Sequence, residues 1–312
     1  LPRIASEMGV PIWQPVRPWR VEMPGVEIVT TEGARERIVR NETSAGTLQA
    51  RWTLGPDGDW WQMEYPVKTK DDLPVALELV RSQTYVLEPV RLAPSAAEVG
   101  EAGLVALELP RRPYSDLLHE FLGWSEGLLF LGEAPVKEML EILEQKLQAL
   151  VREIAQLRGE VVLSPDNLDG QFLSPRTFDK NLASSYGQTA ESLHDQGKLL
   201  LVHVGGPIRH LLHPLHLAGV DCIEGIAGPP QSNATLAEAR EVAGPGLALW
   251  GGIPQDLLLE THDEAAFLAT AQQAARQAQR DSRTIVGVAD RVPVDADLGR
   301  LKSLPALIAD SG

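Results

Sequence analysis

From residue 71 onward the chain alternates short apolar runs with amphipathic stretches, and no other feature constrains its fold as strongly. Apolar runs at 104–109, 199–203 and 247–250 have the length of buried strands. Helical spacing fills the gaps between runs, at 115–122, 135–157, 175–196, 235–243, 264–280 and 298–309. Strands near residues 10, 104, 160, 199, 220, 247 and 284 make seven. Apolar strands that alternate with helices imply a parallel sheet covered on both faces. The expected fold is an α/β, (β/α)₈ TIM barrel, which needs eight strands, so the first is expected before residue 1. An open doubly wound sheet is the alternative, but no strand here runs into a G-x-G-x-x-G turn.

The first seventy residues read differently. Residues 1–8 fit the end of a helix, and a strand at 10–14 opens into a proline-rich stretch at 15–20. Residues 26–66 alternate apolar and polar positions between Gly-rich turns, with Trp52, Trp60 and Trp61 supplying an aromatic face. The expected organisation is one barrel domain over 1–312 carrying an antiparallel β insertion at 26–66.

Charge and cysteine content narrow the function classes. Lys and Arg total 28 against 43 Asp and Glu, a formal charge of −15. That balance argues against gripping nucleic-acid backbone or an anionic membrane. A single cysteine, Cys222, rules out an internal disulfide framework. No apolar run approaches the ~20 residues of a membrane span, and a cytoplasmic location is expected.

Reactive groups in such barrels stand at the C-terminal ends of strands. Those ends carry Gln14 with Arg17, Glu108 with Arg111 and Arg112, Asp166 with Asn167 and Asp169, then His203, Glu224, Trp250, and Asp290 with Arg291. His203 is the sharpest of these. Four apolar residues precede it and Gly205-Gly206 follows, so the imidazole is held rigidly where a ligand can approach the backbone. A satisfied core histidine is the other reading. Asp166, Asn167 and Asp169 could handle protons or orient a substrate, or could simply form a polar turn. Glu224 lies two residues beyond Cys222 and so faces the same side of a strand. Cys222 itself is a nucleophile, a ligand or a small core residue.

Several stretches from about residue 100 onward resemble the uroporphyrinogen decarboxylase-like superfamily, which includes corrinoid-linked methyltransferases. They are Pro165-Asp-Asn-Leu-Asp-Gly170, Leu193-His-Asp-Gln-Gly-Lys198, His203-Val-Gly-Gly206, Ala218-Gly-Val-Asp-Cys-Ile-Glu224, Leu249-Trp-Gly-Gly-Ile-Pro254 and Ile285-Val-Gly-Val-Ala-Asp-Arg-Val-Pro293. The resemblance implies a TIM barrel and a small-molecule substrate. Zinc methyltransferases of this group use a His-x-Cys pair and a second Cys after the last strand. Here His203 matches, while Gly205 and Ala289 or Asp290 stand in place of the thiolates. What the resemblance leaves is His203, Glu224 and Asp290, a set suited to Zn, Mn or Fe with open positions. The decarboxylases' catalytic aspartate corresponds to Gln14.

Three functions follow. The first is methyl or one-carbon transfer, with a corrinoid carried by a partner protein or a small acceptor. Its catalytic residues would be His203, Asp166, Asn167 and Asp169, with Gln14, Arg17, Arg111, Trp250 and Arg291 binding substrate. The second is a decarboxylase or lyase acting on a multiply carboxylated, porphyrinogen-like substrate clamped by arginines, Arg20 and Arg112 among them. The third is a non-catalytic ligand-binding barrel.

Overall fold

The structure, a computed structural model, describes residues 5, 7 and 9–310. The expected helix end at 1–8 falls largely outside them. The described residues form thirteen strands. In chain order they are β1 (Ile12–Val16), β2 (Trp19–Glu22), β3 (Glu27–Glu32), β4 (Glu36–Thr43), β5 (Gly46–Leu54), β6 (Trp60–Glu64) and β7 (Thr84–Leu87). There follow β8 (Gly103–Glu108), β9 (Val161–Leu168), β10 (Leu199–Val204), β11 (Cys222–Ile226), β12 (Ala248–Ile253) and β13 (Thr284–Val288).

The chain divides into two compact units. The first comprises residues 1–18, 89–109 and 154–312. Its sheet has seven parallel strands in the order β1-β8-β9-β10-β11-β12-β13. Helices connect the strands, which gives the α/β, TIM-barrel-like arrangement read from the alternation. Among the described residues β1 and β13 do not pair with each other.

Side chains alternate along each strand and sort the unit into two apolar layers. One face carries Trp13, Ala106, Leu163, Leu201, Cys222 and Trp250, packed together in the barrel interior. The other meets the helices: Val286 and Val288 of β13 pack with Phe267, Ala271 and Leu304 of the helices Glu264–Arg280 and Leu298–Asp310. Burying one such side chain contributes roughly 1.5–3 kcal/mol.

The second unit, residues 19–88 and 110–153, is antiparallel where it is β. Strands β3-β4-β5-β6 form a meander from Glu27 to Glu64, and β2 pairs with β7. The helix Leu73–Ser82 buries Leu73, Val75, Ala76, Leu77, Leu79 and Val80.

Some boundaries moved. The 160–164 strand runs on to Leu168. The single helix expected at 175–196 is two, Pro175–Asn181 and Ala183–His194, broken at Leu182 where the backbone leaves helical values. The 115–122 stretch becomes a short α-helix at Pro113–Asp116 that widens into a π-helix at Leu117–Leu122. Among the described residues no helix is long and apolar enough to cross a membrane.

Candidate active site

The alternation that buries the lower interior also delivers the polar groups above it. Leu201 faces inward, so His203 does too; Cys222 faces inward, and Glu224 follows. Parallel pairing places His203 directly beside Glu224. His203 Nδ1 lies 2.6 Å from Glu224 Oε2, and Glu224 is 2% exposed. A carboxylate only accepts, so Nδ1 carries the proton in this bond. Its Nε2 stands 4.0 Å from Asp290 Oδ1, beyond direct hydrogen-bond reach.

Asp290 lies two residues beyond β13 with φ of 67°, a left-handed conformation uncommon outside glycine. Its other carboxylate oxygen accepts from Gln255 Nε2 at 3.4 Å. Asp290 lines a cavity of about 210 Å³ together with Gly205, Gly206, Gly225, Gln231, Ser232 and Gln255. His203 is not in the cavity wall; Asp290 links the two. Gly225 (φ 102°) packs so tightly that a side chain there would begin 2.2 Å from the Val204 carbonyl oxygen.

The Asp166-Asn167-Asp169 group is split by strand alternation. Asp166 is fully buried on the helix side of β9, where it accepts from Ser164 Oγ at 2.8 Å and from Tyr186 OH. These bonds hold the Asp166 carboxylate on the helix side of β9, apart from the inward-facing His203 and Glu224. Asn167 (φ 50°) has the opposite orientation and crosses Gly205: a side chain at 205 would begin 1.8 Å from Asn167 Oδ1. Asp169 lies likewise against Gly206, while its Oδ1 accepts from the Gln171 backbone N–H at 2.7 Å. The two glycines are therefore the floor on which Asn167 and Asp169 rest.

The expected substrate-binding residues scatter. Arg17 follows β1 and is exposed, and its Nη2 donates to Glu108 Oε1 at 2.8 Å. Trp250 faces inward against Trp13, ring centres 5.2 Å apart, below the polar layer. Gln14 alternates with Trp13 and faces the helix layer, because an odd step along a strand reverses the side chain. That reversal corrects its placement at the mouth. Arg111 belongs to the second unit and pairs with Glu120 at 2.6 Å. Arg291 stands on the exposed loop after β13.

A zinc thiolate site does not fit these residues. Position 205 holds no thiol, and the space beside it is taken by Asn167. Cys222 belongs to the lower apolar cluster. There burial, together with the Glu224 and Asp221 carboxylates, pushes its thiol up to about 12, against metal binding or nucleophilic attack. Among the described residues no three His, Cys, Asp or Glu side chains could hold a metal ion. The expected His203, Glu224 and Asp290 ligand set is corrected for a geometric reason: the carboxylates serve opposite nitrogens of one ring rather than converging on a point.

Sequence reading missed Gln231, Ser232 and Gln255. Gln231 and Ser232 lie on the loop after β11 and Gln255 opens the short 3-10 helix Gln255–Leu258 after β12, where no periodicity marks function. The one usable signal was their position just past strand ends.

No family model and no curated protein matches the chain in sequence. Solved structures do match in fold. A methyltransferase from Methanosarcina mazei aligns with TM-score 0.57 at 15% identity, covering 83% of this chain and 74% of its own. A D-psicose 3-epimerase from Clostridium cellulolyticum H10 aligns with TM-score 0.43 at 10% identity, covering 72% and 82% respectively. At 15% identity the likeness to the methyltransferase structure shows a shared barrel-type fold and nothing finer.

Proposed function

We propose that the chain is a TIM-barrel enzyme of the uroporphyrinogen decarboxylase-like kind that transfers a methyl or other one-carbon group to a small protic acceptor. The observation that carries this reading is the His203–Glu224 hydrogen bond at the C-terminal end of the sheet. It fixes the ring and gives a buried counter-charge to the imidazolium that forms when Nε2 takes up a proton. The acceptor's heteroatom attacks the methyl carbon, its proton passes to Nε2, and the bonding electron pair leaves with the donor. The methyltransferase-like fold and the motif series from Pro165 to Pro293 favour one-carbon transfer as the class. A corrinoid on a separate protein is the donor class proposed.

Two other readings find less support. A polycarboxylate lyase needs free arginines, whereas Arg17 is paired with Glu108, Arg20 with Glu22 and Glu88, and Arg111 with Glu120. A passive binding barrel gives no reason to bury a carboxylate against an imidazole, an arrangement that costs desolvation.

The test is methyl transfer from methylcobalamin to a panel of thiols and amines, followed by donor absorbance and by mass spectrometry of the acceptor. Transfer by the wild-type chain that falls about 10²–10⁴-fold in His203→Ala is expected. Absence of transfer to every acceptor, or an unchanged rate in the variant, overturns the reading.

A further inference from the structure

We infer that the chain carries a second ligand site, a basic cavity for the phosphate group of a small phosphorylated molecule, between the helices Leu236–Ala243 and Glu264–Arg280. It is separate from His203 and does not rest on the proposed transfer chemistry. Three observations carry it.

The first is the charge of the wall. The cavity holds about 280 Å³, and its charged side chains are Arg276 and Arg280, with no Asp or Glu beside them. In a chain of formal charge −15 this is a local reversal of sign. A basic concavity concentrates anions. The second is that the polar groups are uncommitted. Among the described residues neither guanidinium has an ion pair or hydrogen bond, and neither do the side chains of Gln273 and Gln277. Asp281 follows Arg280 directly, yet its carboxylate accepts from Arg240 Nε and Thr284 Oγ1, each at 2.6 Å. The third is spacing. Positions 273, 276, 277 and 280 follow the i, i+3, i+4, i+7 pattern that puts side chains on one face of a helix. Arg276 and Arg280 thus stand one turn apart, where like charges repel.

An oxyanion between the two guanidiniums removes that repulsion and accepts from both. A phosphate ester offers three oxygens and up to two negative charges, and guanidinium N–H pairs match its edges. A carboxylate has two oxygens and one charge, so it engages one fork and leaves the other unpaired. The rest of the wall sets what the phosphate is attached to. Ala227, Pro229, Leu236 and Pro254 are apolar. Gly252 lets the floor close: a side chain there would begin 2.5 Å from Leu236 Cδ1 and 2.9 Å from Ala274 Cβ. The site therefore takes a phosphate at its arginines and a compact organic group against the apolar wall. No bond is made or broken there.

The experiment is titration of the whole chain, by calorimetry and phosphorus NMR, with isopropyl phosphate, inorganic phosphate, isobutyrate and isopropanol. It is run at about 0.15 M salt, where exposed charges are screened beyond about 8 Å. Saturable binding of isopropyl phosphate is expected, about tenfold or more tighter than isobutyrate or isopropanol. Arg276→Gln with Arg280→Gln should weaken it by about tenfold or more, since charge-assisted hydrogen bonds to both forks are lost. Both residues are exposed, so the urea midpoint should not move. Arg152→Gln with Arg158→Gln removes the same charge from exposed positions outside the cavity and should leave the affinity within about twofold. Absence of saturable ester binding, isobutyrate binding as tightly as the ester, or equal losses in the two double variants overturns the site. Tighter binding of the ester than of inorganic phosphate supports a phosphorylated organic ligand; the reverse order overturns that half of the assignment.

Discussion

Two histidine–carboxylate pairs stand at opposite ends of the same two strands, and they differ in burial and in what lies beyond them. His194 Nε2 meets Asp221 Oδ2 at 2.8 Å just before β10 and β11 begin. His203 Nδ1 meets Glu224 Oε2 at 2.6 Å near the ends of those strands. The first pair is largely open to solvent, with side chains 42% and 29% exposed. Asp221 also accepts the Leu200 backbone N–H, and its own carbonyl accepts from Ala248, so it ties the strand starts together. In the second pair the carboxylate is buried and the outer ring nitrogen faces Asp290 and the cavity beyond. The first pair thus ties the N-terminal ends of the strands together, and the second is the one to which the proposed function gives proton transfer, at the end where barrel chemistry sits. Residue type alone does not distinguish them; position along the strand does.

The largest effect that can break this comparison is on turnover. Glu224→Gln should lower kcat by about 10²–10⁴-fold, because an amide can donate to Nδ1 and move the ring proton to Nε2. KM should change little, and Asp221→Asn should leave both constants as they were. Steady-state kinetics of the two variants decides it; equal losses would erase the distinction.

Stability effects come next. Asp166→Ala removes a buried acceptor from the Tyr186 and Ser164 hydroxyls in the helix layer and should cost about 1–3 kcal/mol in urea unfolding. Its specific activity per folded molecule should hold; a selective loss of kcat would return Asp166 to the catalytic group. Asp221→Asn should cost at most about 1 kcal/mol, as exposed ion pairs do.

The smallest effect concerns Cys222. With its thiol pushed up to about 12, it should resist iodoacetamide at pH 8 in the native state and react once unfolded. The sign for stability follows. The folded pKa lies above the ordinary value near 9, so the contribution is complete below pH 9 and is lost as pH rises toward 12. Rapid native labelling at pH 8 would contradict this placement.

Much of the fold was legible because strand and helix periods differ. Runs such as Leu199–Val204 announce a doubly covered strand, and two-residue spacing linked Cys222 to Glu224 and Leu201 to His203. The same rule, one residue out of phase, misplaced Gln14 and Asp166: strand ends were identified, but the facing side was not. The site's glycines were visible, but not that Asn167 lies over Gly205, since that contact joins two strands across a loop. Nor does sequence reveal that two carboxylates take opposite nitrogens of one imidazole, because ligand sets read from composition carry no direction. The break at Leu182 had no proline or glycine to mark it.

The most direct test of the central claim is a side-by-side turnover measurement of His203→Ala and His194→Ala in the methylcobalamin assay. At least a hundredfold loss in the first, with the second within about twofold of wild type, is the expected result. Comparable losses in both, or no loss in His203→Ala, would contradict the assignment of His203 and Glu224 as the working pair.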